Sequence, residues 1–148
     1  MRGTKVVLVM LLFVFGRPGF AGSPIADGPH PVSLSEWQVI AVGESRSIPP
    51  GLTRYGSFEL NMTADVRVQY DIDGRVDLYL MTKAQADRSE DHDPVEPGRD
   101  FIRRNRAVEV GGWFIEEGLP AGQYDFVVHN TSGGPVQSSF QIAAQRAR

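Results

Sequence analysis

The sequence contains no cysteine. That absence excludes disulfides, thiolate metal ligands, a cysteine nucleophile and an N-terminal lipidated cysteine. Long hydrophobic runs are also missing, for the apolar stretch at 6–15 is ten residues and falls short of roughly 30 Å of hydrocarbon. Basic residues are in deficit, with 15 Lys and Arg against 18 Asp and Glu. The clustered cations that a phosphate backbone demands are therefore lacking, and nucleic acid is excluded as a partner. The three histidines, His30, His92 and His129, are not spaced as a helix-borne zinc pair. No Gly-x-Ser-x-Gly elbow is present, and Gly111-Gly112 and Gly133-Gly134 lead into Trp113 and Pro135 rather than a phosphate-binding helix start. A catalytic site would have to be assembled from distant residues.

What is present begins with an export signal. Arg2 and Lys5 precede the apolar run, and Gly16, Pro18 and Gly19 then break any helix. Small Gly19 and Ala21 stand three and one positions before a cut after Ala21. Residues 1–21 therefore read as a signal peptide, with an uncleaved anchor as the competing reading. The expected protein is secreted or periplasmic, without a membrane span once the signal is removed. Losing Arg2, Lys5 and Arg17 leaves 12 basic against 18 acidic residues, a charge of about -6 on the exported chain. Residues 22–35, rich in Pro, Gly and Ser, read as a flexible leader, and 144–148 as a C-terminal tail.

Between them, residues 36–143 make one domain of short runs with alternating polarity. Strands are expected over 36–42, 54–62, 65–72, 76–81, 107–115, 123–129 and 136–142. The clearest is 65–72, where Val66, Val68, Tyr70 and Ile72 alternate with polar residues at the strand period of two. Asp73-Gly74 follows and predicts a tight hairpin to the next strand. Thr82-Lys83-Ala84-Gln85 has capping-box form and predicts one helical turn to about Arg88. Tyr124, directly after a Pro-Gly turn, has the place of a tyrosine whose ring is buried while its hydroxyl ties down the backbone before it. Seven or eight short strands and no long amphipathic helix give an all-β chain, a two-sheet antiparallel β-sandwich, with a small barrel as its rival.

The run Arg75-Val76-Asp77-Leu78-Tyr79-Leu80-Met81-Thr82 and the run Leu119-Pro120-Ala121-Gly122-Gln123-Tyr124-Asp125-Phe126-Val127-Val128-His129-Asn130 resemble secreted bacterial β-sandwich domains. The kind they resemble is the pre-peptidase C-terminal and GOLD-like group, over about residues 36–143. The resemblance implies a jelly-roll-like core and a non-catalytic accessory or binding module. It brings no catalytic residue with it, because its motifs are core and turn positions.

Two groups of residues are candidates for function. Asp87, Glu90, Asp91 and Asp93 head a run of carboxylates that continues to Asp100 and offers the oxygen ligands calcium takes. A solvated charged loop is the plainer account, and no other cofactor is implied. Trp37 and Tyr79 are the candidate ligand-binding rings, since exposed aromatics combine stacking with hydrogen bonding. Trp113 is expected in the core, and His129 at a strand end on the solvent face. The partner expected is an unknown protein or carbohydrate, with a secreted hydrolase, or a calcium-dependent accessory domain of one, as the alternative.

Overall fold

A computed structural model describes residues 6–8 and 37–148; the expected signal cleavage site and leader lie outside the described residues. The strands are β1 (Val6–Leu8), β2 (Gln38–Ile48), β3 (Thr53–Leu60), β4 (Ala64–Ile72), β5 (Val76–Thr82), β6 (Arg103–Val108), β7 (Gly112–Leu119), β8 (Gly122–Asn130) and β9 (Val136–Arg146). Sheet A has the order β3-β8-β5-β6, and β1 adds to its β3 edge in parallel; sheet B has the order β2-β9-β4-β7. Leaving β1 aside, these are two antiparallel sheets of four, the expected β-sandwich.

From β2 onward every link but β5 to β6 carries the chain from one sheet to the other. The expected hairpin at Asp73-Gly74 is therefore corrected: β4 pairs with β7 and β9, while β5 pairs with β6 and β8. Asp73 makes the corner by accepting the Gln137 N–H at 2.7 Å. Gly74 fits because a Cβ there would stand 2.5 Å from the Val136 side chain. The strand expected over 107–115 is likewise divided, β6 lying in sheet A and β7 in sheet B. Strand β9 continues past Ile142 to Arg146, into residues read as tail.

The alternation in β4 sends Val66, Val68 and Ile72 into the space between the sheets. There they meet Phe58, Leu60, Leu78, Leu80 and Phe126 from sheet A and Phe140 and Ile142 from β9. Each such side chain contributes roughly 1.5 to 3 kcal/mol of apolar burial. The ring of Phe126 lies edge-on to Phe140, with centroids 5.3 Å apart.

Candidate binding clefts

The outer face of sheet A is not left to water. Strand β5 buries both faces: Val76, Leu78 and Leu80 enter the main core, while Tyr79 and Met81 join Tyr55, Ala86, Phe101 and Val127 in a second cluster. The cover is α1 (Lys83–Arg88) and the segment 89–102. The helix starts as the sequence predicts, Thr82 Oγ1 accepting the Gln85 N–H at 3.2 Å and Gln85 Oε1 accepting the Thr82 N–H at 2.9 Å. Gln85 then uses its amide to hold the Gly98 carbonyl at 2.9 Å, fastening the segment back onto the helix. Asp100 closes it, accepting the Val95 and Glu96 N–H groups at 3.0 and 2.9 Å and the Arg99 guanidinium at 2.9 and 3.0 Å. These donors hold its carboxyl well below the usual carboxylate range.

Between this flap and the sheet lies a cleft of about 510 Å³. Tyr55 and Tyr79 lie in its lining, and burial raises both phenols above the ordinary value. Arg104 and Arg106 of β6, His129 of β8 and Asp93 of the flap complete its polar surround. Tyr79 is packed edge-on against Phe101, with centroids 5.8 Å apart, and Arg104 lies over the Phe101 ring at 4.8 Å. Thr53, His129 and Asp77 are cross-strand neighbours in one row, with Thr53 Oγ1 2.8 Å from His129 Nδ1. His129 is thus half-buried in a cleft, not simply on the solvent face. Asp77 accepts the Ala107 N–H at 2.8 Å and so supports the positive φ of 53° at Ala107.

Of the four acidic candidates, Asp93 lines this cleft and an adjoining hollow of about 480 Å³ that also holds His92. Asp87 pairs with Lys83 at 3.4 Å on the exposed helix face. Among the described residues no group of three or more carboxylates or imidazoles converges as a metal ligand set, and so no three of Asp87, Glu90, Asp91 and Asp93 form one.

The two candidate rings are separated as well. Tyr79 is in sheet A, whereas Trp37 precedes β2 and faces Arg67 of sheet B, whose guanidinium lies 5.0 Å from its ring. The expectation for Trp113 is corrected: it is 65% exposed, and its neighbour Phe114 takes the core position. The register decides this, since Phe114 pairs with inward Val68 and Trp113 with outward Gln69. Sheet B has its own depression of about 340 Å³ on this side, lined by Val42, Glu44, Gln69, Asp71, Ser139 and Gln141 among others. The sequence signal for the covered face of sheet A is the unbroken apolar run from Leu78 to Met81, the mark of a strand buried on both sides.

No protein-family model matches the sequence, and no curated protein matches it significantly. Among solved structures the chain is similar to PliG of Aeromonas hydrophila, a periplasmic inhibitor of g-type lysozyme, with 13% identity over 71% of this chain and 87% of that one, at a TM-score of 0.51. It is also similar to the pre-peptidase C-terminal domain of collagenase from Bacillus anthracis, with 9% identity over 68% and 88% of the two chains and a TM-score of 0.42. A designed double-stranded β-helix shares 17% identity over 68% of this chain and 95% of its own, at a TM-score of 0.40. At such identities the likeness is one of fold alone, and the fold is a β-sandwich.

Proposed function

We propose that the protein is an exported, non-catalytic binding module that holds a protein partner in the cleft between sheet A and its flap. The observation that carries this reading is the make-up of the cleft: tyrosine rings and two arginines surround an open hollow of about 510 Å³. Arginine is among the side chains that anchor protein interfaces, and here Arg104 and Arg106 stand over a floor fixed by the buried rings of Tyr55 and Tyr79. Among the described residues Arg106 makes no ion pair, so its charge is available to a carboxylate of the partner. The fold-level likeness to a periplasmic inhibitor is in keeping with a sandwich that acts by binding.

Export is part of the same reading. Cleavage after Ala21 would remove β1 and leave the β3 edge at Arg54–Gly56 without that neighbour. Intact mass of the exported protein should place its first residue within two positions of Gly22, and retention of Met1 would contradict it.

The test of the cleft is site-specific photocrosslinking in the exporting cell. A photoreactive residue at Thr131, which lines the cleft, should trap a discrete protein, and one at Gln123, exposed elsewhere on β8, should not. Arg104→Glu with Arg106→Glu should abolish the adduct. Equal crosslinking from both positions, or none from Thr131, overturns the reading.

The hydrolase alternative rests on Thr53, His129 and Asp77 in one row. Its carboxylate already accepts a main-chain N–H, and the hydroxyl meets Nδ1 of the imidazole. Thr53→Val would abolish any hydrolysis that used this row and leave partner binding in place.

A further inference from the structure

The outer face of sheet B carries a feature that the cleft reading does not use. The strand register lines up Trp113 of β7, Gln69 of β4, Gln141 of β9 and Val42 of β2 as consecutive cross-strand neighbours. With strands about 4.8 Å apart, this row runs roughly 14 Å across the whole sheet. All four side chains point to solvent, Trp113 being 65% and Val42 41% exposed. Gln69, Gln141 and Val42 of the row line the depression of about 340 Å³, within the range of small-molecule sites, and Trp113 stands beside it as the cross-strand neighbour of Gln69.

The chemistry of its lining is specific. Neither Gln69 nor Gln141 makes a side-chain hydrogen bond among the described residues, so two amides, each with donors and an acceptor, stand side by side unused. Ser139 adds a hydroxyl, and Glu44 and Asp71 add carboxylates that only accept. Among the described residues no cation lines the hollow, and the nearby Arg67 is already engaged by Trp37. A ligand suited to this surface has a flat apolar face to lay on an indole, hydroxyl donors for two carboxylates, and mixed donors and acceptors for two amides. It carries no negative charge of its own, because Glu44 and Asp71 would repel it.

A pyranose ring has these properties, its axial C–H groups forming an apolar face and its equatorial hydroxyls a polar rim. We infer that the row from Trp113 to Val42 is a binding site for a neutral oligosaccharide, stacked on Trp113 and hydrogen-bonded by Gln69, Gln141, Glu44 and Asp71. The site is on the opposite sheet from the protein-binding cleft and stands independently of it.

Trp113 is also the reporter. Neutral hexasaccharides of glucose, xylose, mannose and N-acetylglucosamine are titrated by calorimetry and tryptophan fluorescence, with oligogalacturonate as the anionic control. At least one neutral chain should bind and shift the emission, and oligogalacturonate should not. Trp113→Ala should weaken that affinity roughly tenfold, the scale of one lost stacking contact, and Trp113→Phe should restore part of it. Gln69→Ala with Gln141→Ala should also weaken it, while Arg104→Glu with Arg106→Glu in the other sheet should leave it unchanged. Melting curves of each variant confirm that the fold is kept. The inference is overturned if no neutral chain binds at millimolar concentration, if oligogalacturonate binds equally well, or if Trp113→Ala keeps full affinity. Self-association lost in Trp113→Ala, with no saccharide binding, would instead make this face a contact between copies.

Discussion

The hydroxyl of Tyr124 donates to the main-chain carbonyl of Pro120 at 2.5 Å, four residues upstream, while its ring stacks on Phe58 with centroids 5.5 Å apart. One side chain thus joins the turn before β8 to the main core. Tyr124→Phe keeps the ring and loses the tie, and should cost about 1 kcal/mol. Tyr124→Ala should cost about 3 to 5 kcal/mol, and Gln69→Ala on the outer face of β4 under about 0.5. Denaturation midpoints that fall equally for Tyr124→Ala and Gln69→Ala would mean that the inward face of β8 is misassigned.

Phe140 gives the second prediction. Its ring occupies the space where Gly43 of β2 and Gly56 of β3 have no side chain, and a Cβ at either position would overlap ring carbons. Neither glycine has a positive φ, so what matters is the close approach of the two sheets. Gly56→Ala should therefore cost about 1 to 3 kcal/mol by overpacking. Gly133→Ala, with nothing within 4 Å of its Cβ, is the control and should stay within about 0.5 kcal/mol.

Much of this fold was legible because its signals are local. The period of two in β4, the capping box at Thr82 and Gln85, and the tyrosine after a Pro-Gly turn each depend on residues a few positions apart. Asp73-Gly74 misled for a physical reason: the same tight turn chemistry serves a hairpin and a corner between sheets, and only the partner strands tell them apart. Trp113 and Phe114 could not be told apart by hydrophobicity, since both are large and apolar; pairing with Val68 and Gln69 separates them. The cleft was hidden because Tyr79 and Arg104 become neighbours only when β5 and β6 pair with the flap folded over them. The acidic run was legible as sequence, but whether neighbouring carboxylates share a ligand set depends on the path of the flap, and among the described residues no three of them do.

Arg54 was not legible at all as a core residue. It is 1% exposed, donates to Ser138 of β9 through both the main-chain and the hydroxyl oxygen, and reaches the Glu44 carbonyl at 2.7 Å. Its guanidinium also lies 5.0 Å from the Phe140 ring. Burial lowers its pKa from the usual arginine value, and nearby Arg46 adds to the effect. A planar fork can bridge two strands and lie on a ring at once, which a lysine ammonium cannot. Arg54→Lys should therefore cost about 2 to 4 kcal/mol despite keeping the charge. A melting temperature unchanged by Arg54→Lys would show that the bridging geometry contributes little.

Calcium supplies a prediction that separates the two readings of the acidic run. With no three of Asp87, Glu90, Asp91 and Asp93 forming a ligand set, calcium should raise the melting temperature no more than equal magnesium does. A site specific to the folded state would instead stabilise by about 2.7 kcal/mol at a hundredfold excess over its dissociation constant. A calcium-specific rise that disappears in Asp91→Asn with Asp93→Asn would restore the metal reading.

The flap should be the acid-sensitive part of the molecule, and Asp100 gives the reason. Its carboxylate accepts two main-chain N–H groups and the Arg99 guanidinium, and its pKa is depressed below the ordinary carboxylate value. A depressed pKa means that the folded flap favours the ionised form, so the contribution is complete above the unfolded value, about pH 4. It is lost as the pH falls below that value toward the folded one. The group is at the surface, so salt should weaken the same contribution by screening. Hydrogen exchange of segment 89–102 should therefore accelerate below about pH 4, corrected for intrinsic rates, before the amides of β4 and β8 respond. Asp100→Asn should show the faster exchange already at neutral pH and lose the acid dependence. It should also loosen the cleft, because the flap carries Asp93, Pro94 and Val95 of its wall. If the flap and the sandwich lost protection together in acid, or if Asp100→Asn kept the wild-type pH profile, the flap would be held by the packing of Phe101 on Tyr79 rather than by this carboxylate.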